Sequence, residues 1–334
     1  MPGELVPNYR PQVTLYTAIA PLALLYNRSL LDTLHERVGE ETHMRGRQDL
    51  PDADGPSAVW SRVLTMDGKR DSRRGVYGTS PSYDYEFLGL QVGTDLIRRQ
   101  RDDGHRDVAG TYLAFGRAEA TPHVNGHGVG QDNLDGYSVG GYWTHFGPTD
   151  WYLDGILQAT YYDISAEPDN LAKLDVSGWG WAASLEGGYP FQLPEQWVVE
   201  PQAQVVYQRV GLDDTHDAAA TVKFDEVDSL ASRLGVRVAK TWDESAAPEP
   251  HKYTAWGRLS AWHESQGEPE TKFSSADGYV PFQGDLGGGW WEAKLGLTGE
   301  VRRNVFVYAS VGYERAFDDE RHAVDGKLGV RVQW

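Results

Sequence analysis

Along Trp151–Tyr162 the positions Trp151, Leu153, Gly155, Leu157, Ala159 and Tyr161 share one face, and Tyr152, Asp154, Ile156, Gln158, Thr160 and Tyr162 share the other. Side chains of a strand alternate between its two faces, so this two-residue period predicts a strand with one apolar and one mixed face. An aromatic closes each end of the apolar face, which suits a strand crossing a bilayer between two interfacial girdles. Trp179–Tyr189 repeats the pattern, with Trp179, Trp181, Ala183 and Leu185 set against Ser184 and Glu186. So does Trp197–Tyr207, where Trp197, Val199, Pro201, Ala203 and Val205 alternate with Glu200, Gln202 and Gln204. Further strands are predicted near Ser57–Leu64, Tyr83–Ile97, Asp107–Arg117, Leu134–Phe146, Val227–Thr241, His251–His263, Gly289–Glu300, Val305–Phe317 and Ala323–Trp334, about twelve in all. Connections alternate in length. Gly147–Asp150 and Gln192–Glu195 are short, whereas Met66–Pro81, Ala120–Asn133, Ala166–Asp175, Gly211–Asp225 and Glu264–Gly288 are long. The fold class expected is an all-β, transmembrane antiparallel barrel with short periplasmic turns and longer outer loops. A soluble sandwich or lipocalin-like barrel shares the period with its faces reversed; the paired aromatics favour lipid.

Val13–Glu40 breaks the pattern. Leu24, Leu31, Leu34 and Val38 recur at helical spacing, while Asn27, Arg28, Asp32, His35, Glu36 and Arg37 fill the other faces. Pro21 suits a first helical turn, so the regular helix is expected from there to a stop at Gly39. That span extends about 28 Å, close to the ~30 Å hydrocarbon core of a bilayer, yet it is too charged to face lipid. The expectation is a helix threaded through the barrel lumen. The domain plan is then 1–12 as linker, 13–40 as lumenal helix, 41–56 as connector and 57–334 as barrel.

Composition agrees with this reading. The 334 residues carry a formal charge of −18 but include 38 Gly, 18 Tyr and 12 Trp. Only half of each barrel strand faces lipid, so a mean hydropathy of −0.54 is compatible with a membrane barrel. No stretch approaches the ~18 apolar residues of a membrane helix. The acidity argues against nucleic acid as partner. With no cysteine, disulfides, zinc–thiolate sites and cysteine nucleophiles are excluded. Met1–Glu4 lacks the basic and apolar regions of a signal peptide, and the chain is expected to be cut from a longer precursor.

Motifs for other chemistry are weak. Gly136-Tyr137-Ser138-Val139-Gly140 matches G-x-S-x-G but lies inside an alternating strand rather than at a strand–turn–helix elbow. His35-Glu36 begins an H-E-x-x-H motif whose second histidine is Gly39. Gly126–Gly130 is glycine-rich, but no helix follows it to hold phosphate. His123 and His127, and the acidic run Asp213, Asp214, His216 and Asp217, read as solvated loops before metal sites. No metal or cofactor is expected. Lys69, Arg70, Arg73 and Arg74 in the first outer loop are candidates for lipopolysaccharide phosphates.

Strand parity places Arg62, Asp95, Asp154, Glu186, Glu200, Gln202, Arg233, Arg237, Arg258, Glu292 and Glu314 on the lumenal face. Buried charges are costly unless paired, so a mixed-sign lumen should pair with Arg28, Asp32, Glu36 and Arg37 of the helix. In the last strand Leu328, Val330, Val332 and Trp334 face lipid, and Lys327, Gly329, Arg331 and Gln333 face the lumen.

These segments together resemble a family, the C-terminal translocator domain of autotransporters, the type V secretion proteins. The resemblance covers nearly the whole chain. It is carried by Tyr9-Arg10-Pro11 with Leu34–Glu40, by Leu90–Leu96, Tyr137–Thr144, Trp151–Asp154, Leu185–Phe191, Glu200–Gln204 and Arg233–Arg237, and by the terminal Leu328–Trp334. It implies a bacterial outer-membrane barrel of twelve strands, monomeric and without catalytic residues, plugged by a helix. It further implies export of an N-terminal passenger absent from this chain, and assembly by machinery that reads the terminal aromatic strand. One departure stands out. Some members cut themselves at paired asparagines in the helix, and here Asn27 stands alone. An omptin-like protease or esterase, and a passive porin, are the rival readings.

Overall fold

The structure, a computed structural model, describes residues 9–40, 43, 50, 52–71, 81–243, 252–318 and 320–334. Twelve antiparallel strands form one closed wall. They are β1 (Ala53–Asp71), β2 (Ser82–Gln100), β3 (Arg106–Val124), β4 (Gly130–Phe146), β5 (Tyr152–Pro168) and β6 (Leu174–Gly188), then β7 (Trp197–Leu212), β8 (Val227–Asp243), β9 (Lys252–Glu264), β10 (Gly288–Arg302), β11 (Val305–Ala316) and β12 (Glu320–Gln333). Each pairs with its sequence neighbour, and β12 closes on β1 from Ala58↔Gln333 to Asp71↔Glu320. Closure satisfies every ladder internally, the condition for a sheet to span lipid.

The period-two pattern sets which residues enter the lumen. Along β5, Tyr152, Asp154, Ile156, Gln158, Thr160 and Tyr162 are buried inside. Leu157 on the other face is 61% exposed, as are Trp179 (65%) on β6 and Leu234 (70%) on β8. Such large apolar exposure all round a barrel requires lipid outside. Tyr137, Tyr161 and Trp179 stand in register across β4, β5 and β6 as part of the outer girdle. Trp143, Tyr189, Trp197, Tyr253 and Trp334 mark the inner one. From Trp179 to Tyr189 the strand rises through about 25 Å of membrane normal at a tilt of about 40°.

The strands run further outward than the apolar pattern suggested. Met66–Asp71, Ala120–Val124, Gly130–Asn133 and Ala166–Pro168 were expected in loops and are strand. Their outward positions carry Asp67, Thr121, Asn133 and Glu167, so the alternation continues above the girdle where the outer face meets water. The loops expected over Gly211–Asp225 and Glu264–Gly288 keep their length. They contribute Thr215–His216, Thr221–Phe224, Glu270–Ser275 and Gly278–Gln283, which form a separate four-stranded sheet over the outer mouth.

The lumen holds α1 (Gln12–Thr17), α2 (Ile19–Leu31) and α3 (Leu34–Val38). The helix starts nine residues before Pro21, which instead occupies the first turn of α2. It also breaks once. Asp32 caps α2 with φ +36°, a conformation uncommon for a non-glycine residue, and Thr33 is extended before α3 begins. Gly39 ends α3 at φ +81°, where a side chain would be strained. Residues 1–8, most of the connector 41–56, and Arg73 and Arg74 lie outside the described residues.

Candidate functional site: the plugged lumen

The upper half of the plug is apolar. Leu15, Tyr16, Ile19, Leu22, Ala23, Tyr26 and Leu30 are all at most 1% exposed. Tyr26 docks on a row of glycines that the register aligns, Gly89↔Gly116↔Gly136. A Cβ on Gly136 would lie 2.3 Å from the Tyr26 ring, and on Gly116 3.0 Å from it. Tyr26 Oη donates to the Gly136 carbonyl at 2.8 Å. The missing side chains in the wall therefore make the seat for the helix. Asn27 accepts from Thr160 at 3.0 Å within the regular part of α2.

The lower half is ionic. Glu36, 2% exposed, takes Arg258 (2.6 Å) and the Thr33 hydroxyl (2.9 Å) on Oε2, and Lys294 (3.1 Å) and Lys327 (2.6 Å) on Oε1. Asp32 meets Arg62 at 3.2 Å and also pairs with Lys327. Glu292 lies 3.0 Å from Arg258, and Asp325 lies 3.1 Å from Lys294. Four cations (Arg62, Arg258, Lys294, Lys327) thus face four carboxylates (Asp32, Glu36, Glu292, Asp325), and the cluster balances. Between helix and wall here lies a cavity of about 50 Å³, room for one or a few waters.

The break in the helix exposes backbone groups, and the wall satisfies them. Arg62 donates to the carbonyls of Leu30 (2.9 Å) and Glu36 (2.8 Å), placing a cation at the C-terminus of α2. Glu186 accepts the Leu34 amide at 3.0 Å, placing a carboxylate at the start of α3. Arg37 reaches Asp154 at 2.7 Å with its guanidinium over Tyr142, and Tyr308 donates to the Arg37 carbonyl at 2.6 Å. His35 meets Glu200 at 3.0 Å, and Arg237 pairs with Glu40. Higher up, Arg28 lies 3.8 Å from Glu314 with its guanidinium over Trp290.

All eleven wall residues chosen by parity lie in the lumen, each at most 7% exposed. Arg62, Asp154, Glu186, Glu200, Arg237, Arg258 and Glu314 touch the helix directly. The other four act on wall neighbours. Asp95 holds Arg331 (2.8 Å) and Tyr142 (2.5 Å), Arg233 holds Glu186 (3.2 Å) and Gln202 (2.9 Å), and Glu292 holds Arg258 (3.0 Å). Lys327, which alternation in the last strand turned to the lumen, joins the cluster with Lys294 and Asp325; these two were not singled out from the sequence, although Lys294 shares parity with Glu292 and Asp325 with Lys327.

Where the chain reaches the outer mouth, the small sheet grips it. Arg10 pairs with Asp217, and its guanidinium lies beside the stacked Tyr16 and Phe273 rings, 5.9 and 5.7 Å from their centroids. Tyr9 packs edge-on to Phe282 at 4.8 Å. Asp217 also accepts the amides of Ala219 and Ala220, each at 2.8 Å. Burial opposes its ionised form, but Arg10 and these two amides hold its carboxyl below the usual range. This residue came from the acidic run considered for a metal; Asp214 instead lies 3.5 Å from Lys223. His123 sits 3.1 Å from Asp84. Among the described residues no three His, Asp or Glu side chains gather as a metal site. Ser138 of the G-x-S-x-G match lies within β4 and bonds Thr160 at 2.8 Å.

A closed twelve-stranded barrel with lipid-facing girdles and a lumen filled by its own N-terminal helix is an outer-membrane translocator barrel. The chain belongs to the autotransporter β-domain family, whose model matches residues 59–314. It is 26% identical to the adhesin BmaC autotransporter of Brucella suis over 98% of its length, which is 10% of that protein. It is 32% identical to the BrkA autotransporter of Bordetella pertussis over 63% of this chain and 19% of that one. The chain thus spans a small fraction of these curated relatives. Its fold matches the transport unit of AIDA-I from Escherichia coli with a TM-score of 0.75 at 19% identity, covering 98% of this chain and all of that one. The Bordetella BrkA β domain matches with a TM-score of 0.66 at 23% identity, over 84% and 100% of the two chains.

Proposed function

We propose that this barrel anchors and exports a passenger joined upstream of the helix, with residues 1–12 as linker, 13–40 as plug, 41–56 as connector and 57–334 as the membrane anchor. The observation that carries this is the direction of the plug. Tyr9 and Arg10 lie at the outer mouth under the small sheet, and α3 ends near the side where short turns join the strands. The described chain therefore enters the lumen from outside at Tyr9, and the plug ends at Gly39 on the inner side, where β1 begins at Ala53. The wall contributes no catalytic group in this reading; it provides a conduit and then a seat. A passive porin needs an open lumen, and a helix fills this one. The terminal Leu328, Val330, Val332 and Trp334 serve as the strand read by the barrel-assembly machinery, and phosphate-bearing lipid of the outer leaflet is the second partner. The barrel works as a monomer.

The test is a folded reporter fused ahead of Met1 and expressed with a secretion signal in a Gram-negative host. Added protease should remove the reporter from intact cells, and purified barrels in planar bilayers should pass little current until Val13–Glu40 is deleted, when conductance rises several-fold. A reporter that stays protected in intact cells, or an unchanged conductance, refutes the reading.

A further inference from the structure

Just above the outer girdle, three arginines point outward from the barrel: Arg117 beyond Phe115, Arg209 beyond Tyr207, and Arg315 beyond Tyr313. Two are neutralised across the ladder. Arg117 holds Asp135 with two bonds of 2.8 Å, and Arg209 holds Asp228 at 2.7 and 2.8 Å. Arg315 has no carboxylate partner among the described residues. Its register partner on β12 is His322, and its partner on β10 is Trp291. The row continues to Lys69 on β1, which Asp71 occupies at 3.2 Å. The barrel thus pairs a cation with an acid at two headgroup-level positions, and at the third sets it opposite another nitrogen donor.

An arginine set across the ladder from a histidine, with no acid opposite it, leaves its guanidinium fork to be met by an anion that the imidazole can also reach. The surroundings specify which kind. Below the row, Val324 is 49% and Val311, further in, 54% exposed to the acyl region, while Trp291 in the row meets the Tyr313 ring just below it at 5.4 Å. Above it Phe317 is 59% exposed. An anion reaching Arg315 and His322 therefore lies among the aromatic rings of Trp291, Tyr313 and Phe317, the belt that marks the level of a lipid headgroup. A guanidinium fork matches phosphate in a bidentate arrangement and carries its charge at every pH of interest.

We propose that Arg315 and His322 bind a phosphate of a phosphorylated acyl lipid of the lipid A class in the outer leaflet. This rests on the outer-membrane reading above and relocates its lipid contact. Of the basic residues first considered for that role, Arg70 turns inward, is buried and donates to the Asp285 carbonyl, and Lys69 is already paired. The occupant is a lipid and not free phosphate, because the apolar surface beneath the cations contributes to binding only if acyl chains are attached to the anion.

The experiment reconstitutes the full chain in phosphatidylcholine nanodiscs doped with bis-phosphorylated or dephosphorylated lipid A. Native mass spectrometry then counts the lipid A retained per barrel. Wild type should retain the phosphorylated form selectively. Arg315→Gln should lower retention about fivefold, and adding His322→Gln should lower it further. Arg117→Gln and Arg209→Gln serve as matched controls that should leave it unchanged. Equal retention of both lipid forms, or an equal loss in the Arg117 and Arg209 variants, overturns the proposal. So does displacement of the lipid by millimolar inorganic phosphate alone, which would mark a site for the free anion. Failure of the wild-type chain to insert into any nanodisc overturns instead the outer-membrane reading beneath it. Insertion without lipid A selectivity overturns this proposal alone.

Discussion

Glu36→Gln removes one charge from the plug and almost no volume. The carboxylate is 2% exposed and contacts Arg258, Lys294, Lys327 and the Thr33 hydroxyl. The cluster then holds four cations against three carboxylates, leaving one buried positive charge without compensation. Leaving a buried charge unpaired costs about 3–5 kcal/mol when no other acid can turn to it. Asp32, Glu292 and Asp325 stand within reach of the same cations and reduce that loss, so about 2–4 kcal/mol is expected. At about 1.4 kcal/mol per tenfold, the unplugged population rises between roughly 30-fold and several hundred-fold. Single-channel recording reads this directly as the fraction of time spent at the conductance of the helix-deleted barrel. Asp228→Asn on the exposed outer face is the comparison, because an exposed ion pair is screened by water and salt. Arg258→Gln combined with Glu36→Gln should cost less than the sum of the two single changes, since each removes the same contact. If Glu36→Gln leaves the open fraction as low as Asp228→Asn does, the ionic cluster does not hold the plug.

Three further outcomes follow from the geometry. Gly136→Ala places a methyl 2.3 Å from the Tyr26 ring and should loosen α2 by about 1–3 kcal/mol, seen as a lower melting temperature that Tyr26→Leu partly restores. Asp217 has its folded-state pKa lowered by Arg10 and the Ala219 and Ala220 amides, so its grip is fully present above the unfolded value of about 3.9 and is lost as pH falls through the lower folded value. The Ala219 amide resonance should therefore move in that acid window in wild type and stay fixed in Asp217→Asn. Trp334, whose amide donates to the Ser57 carbonyl at 3.1 Å, should matter more in cells than in detergent. Trp334→Ala should leave protease-sensitive chain in the periplasm yet refold in micelles with little loss, and equal loss in both settings would reduce its role to stability.

The wall was legible because a strand's period of two leaves no freedom. Once Trp151 faces lipid, Asp154 must face the lumen, and the same logic placed Arg237 and Arg258, direct register partners on β8 and β9. Lys294 was equally accessible to that logic, two residues from Glu292, and was passed over. The helix was less legible. Nearly every residue of α2 is buried, because a helix inside a tube has wall on all sides, so its apolar stripe says little about where it starts or breaks. The break at Asp32 depends on Arg62 donating to the Leu30 carbonyl and Glu186 accepting the Leu34 amide, and those partners lie 32 and 152 residues away from the groups they satisfy. The grip of Asp217 on Arg10 spans 207 residues and leaves no local signature in either segment.

The balanced charge cluster has a kinetic consequence. Without α3, the carboxylates and cations of the wall face one another across an empty tube with only water to screen them. An unfolded segment passing through meets those groups but cannot offer Asp32, Glu36 and Arg37 at the spacing the wall requires. In the export proposed above it slides past, because a transient pair in a hydrated tube contributes little. In that same export, the first stretch to match the wall is also the last to arrive, and its arrival ends transport with no moving gate. In this barrel the brake is written into the cargo.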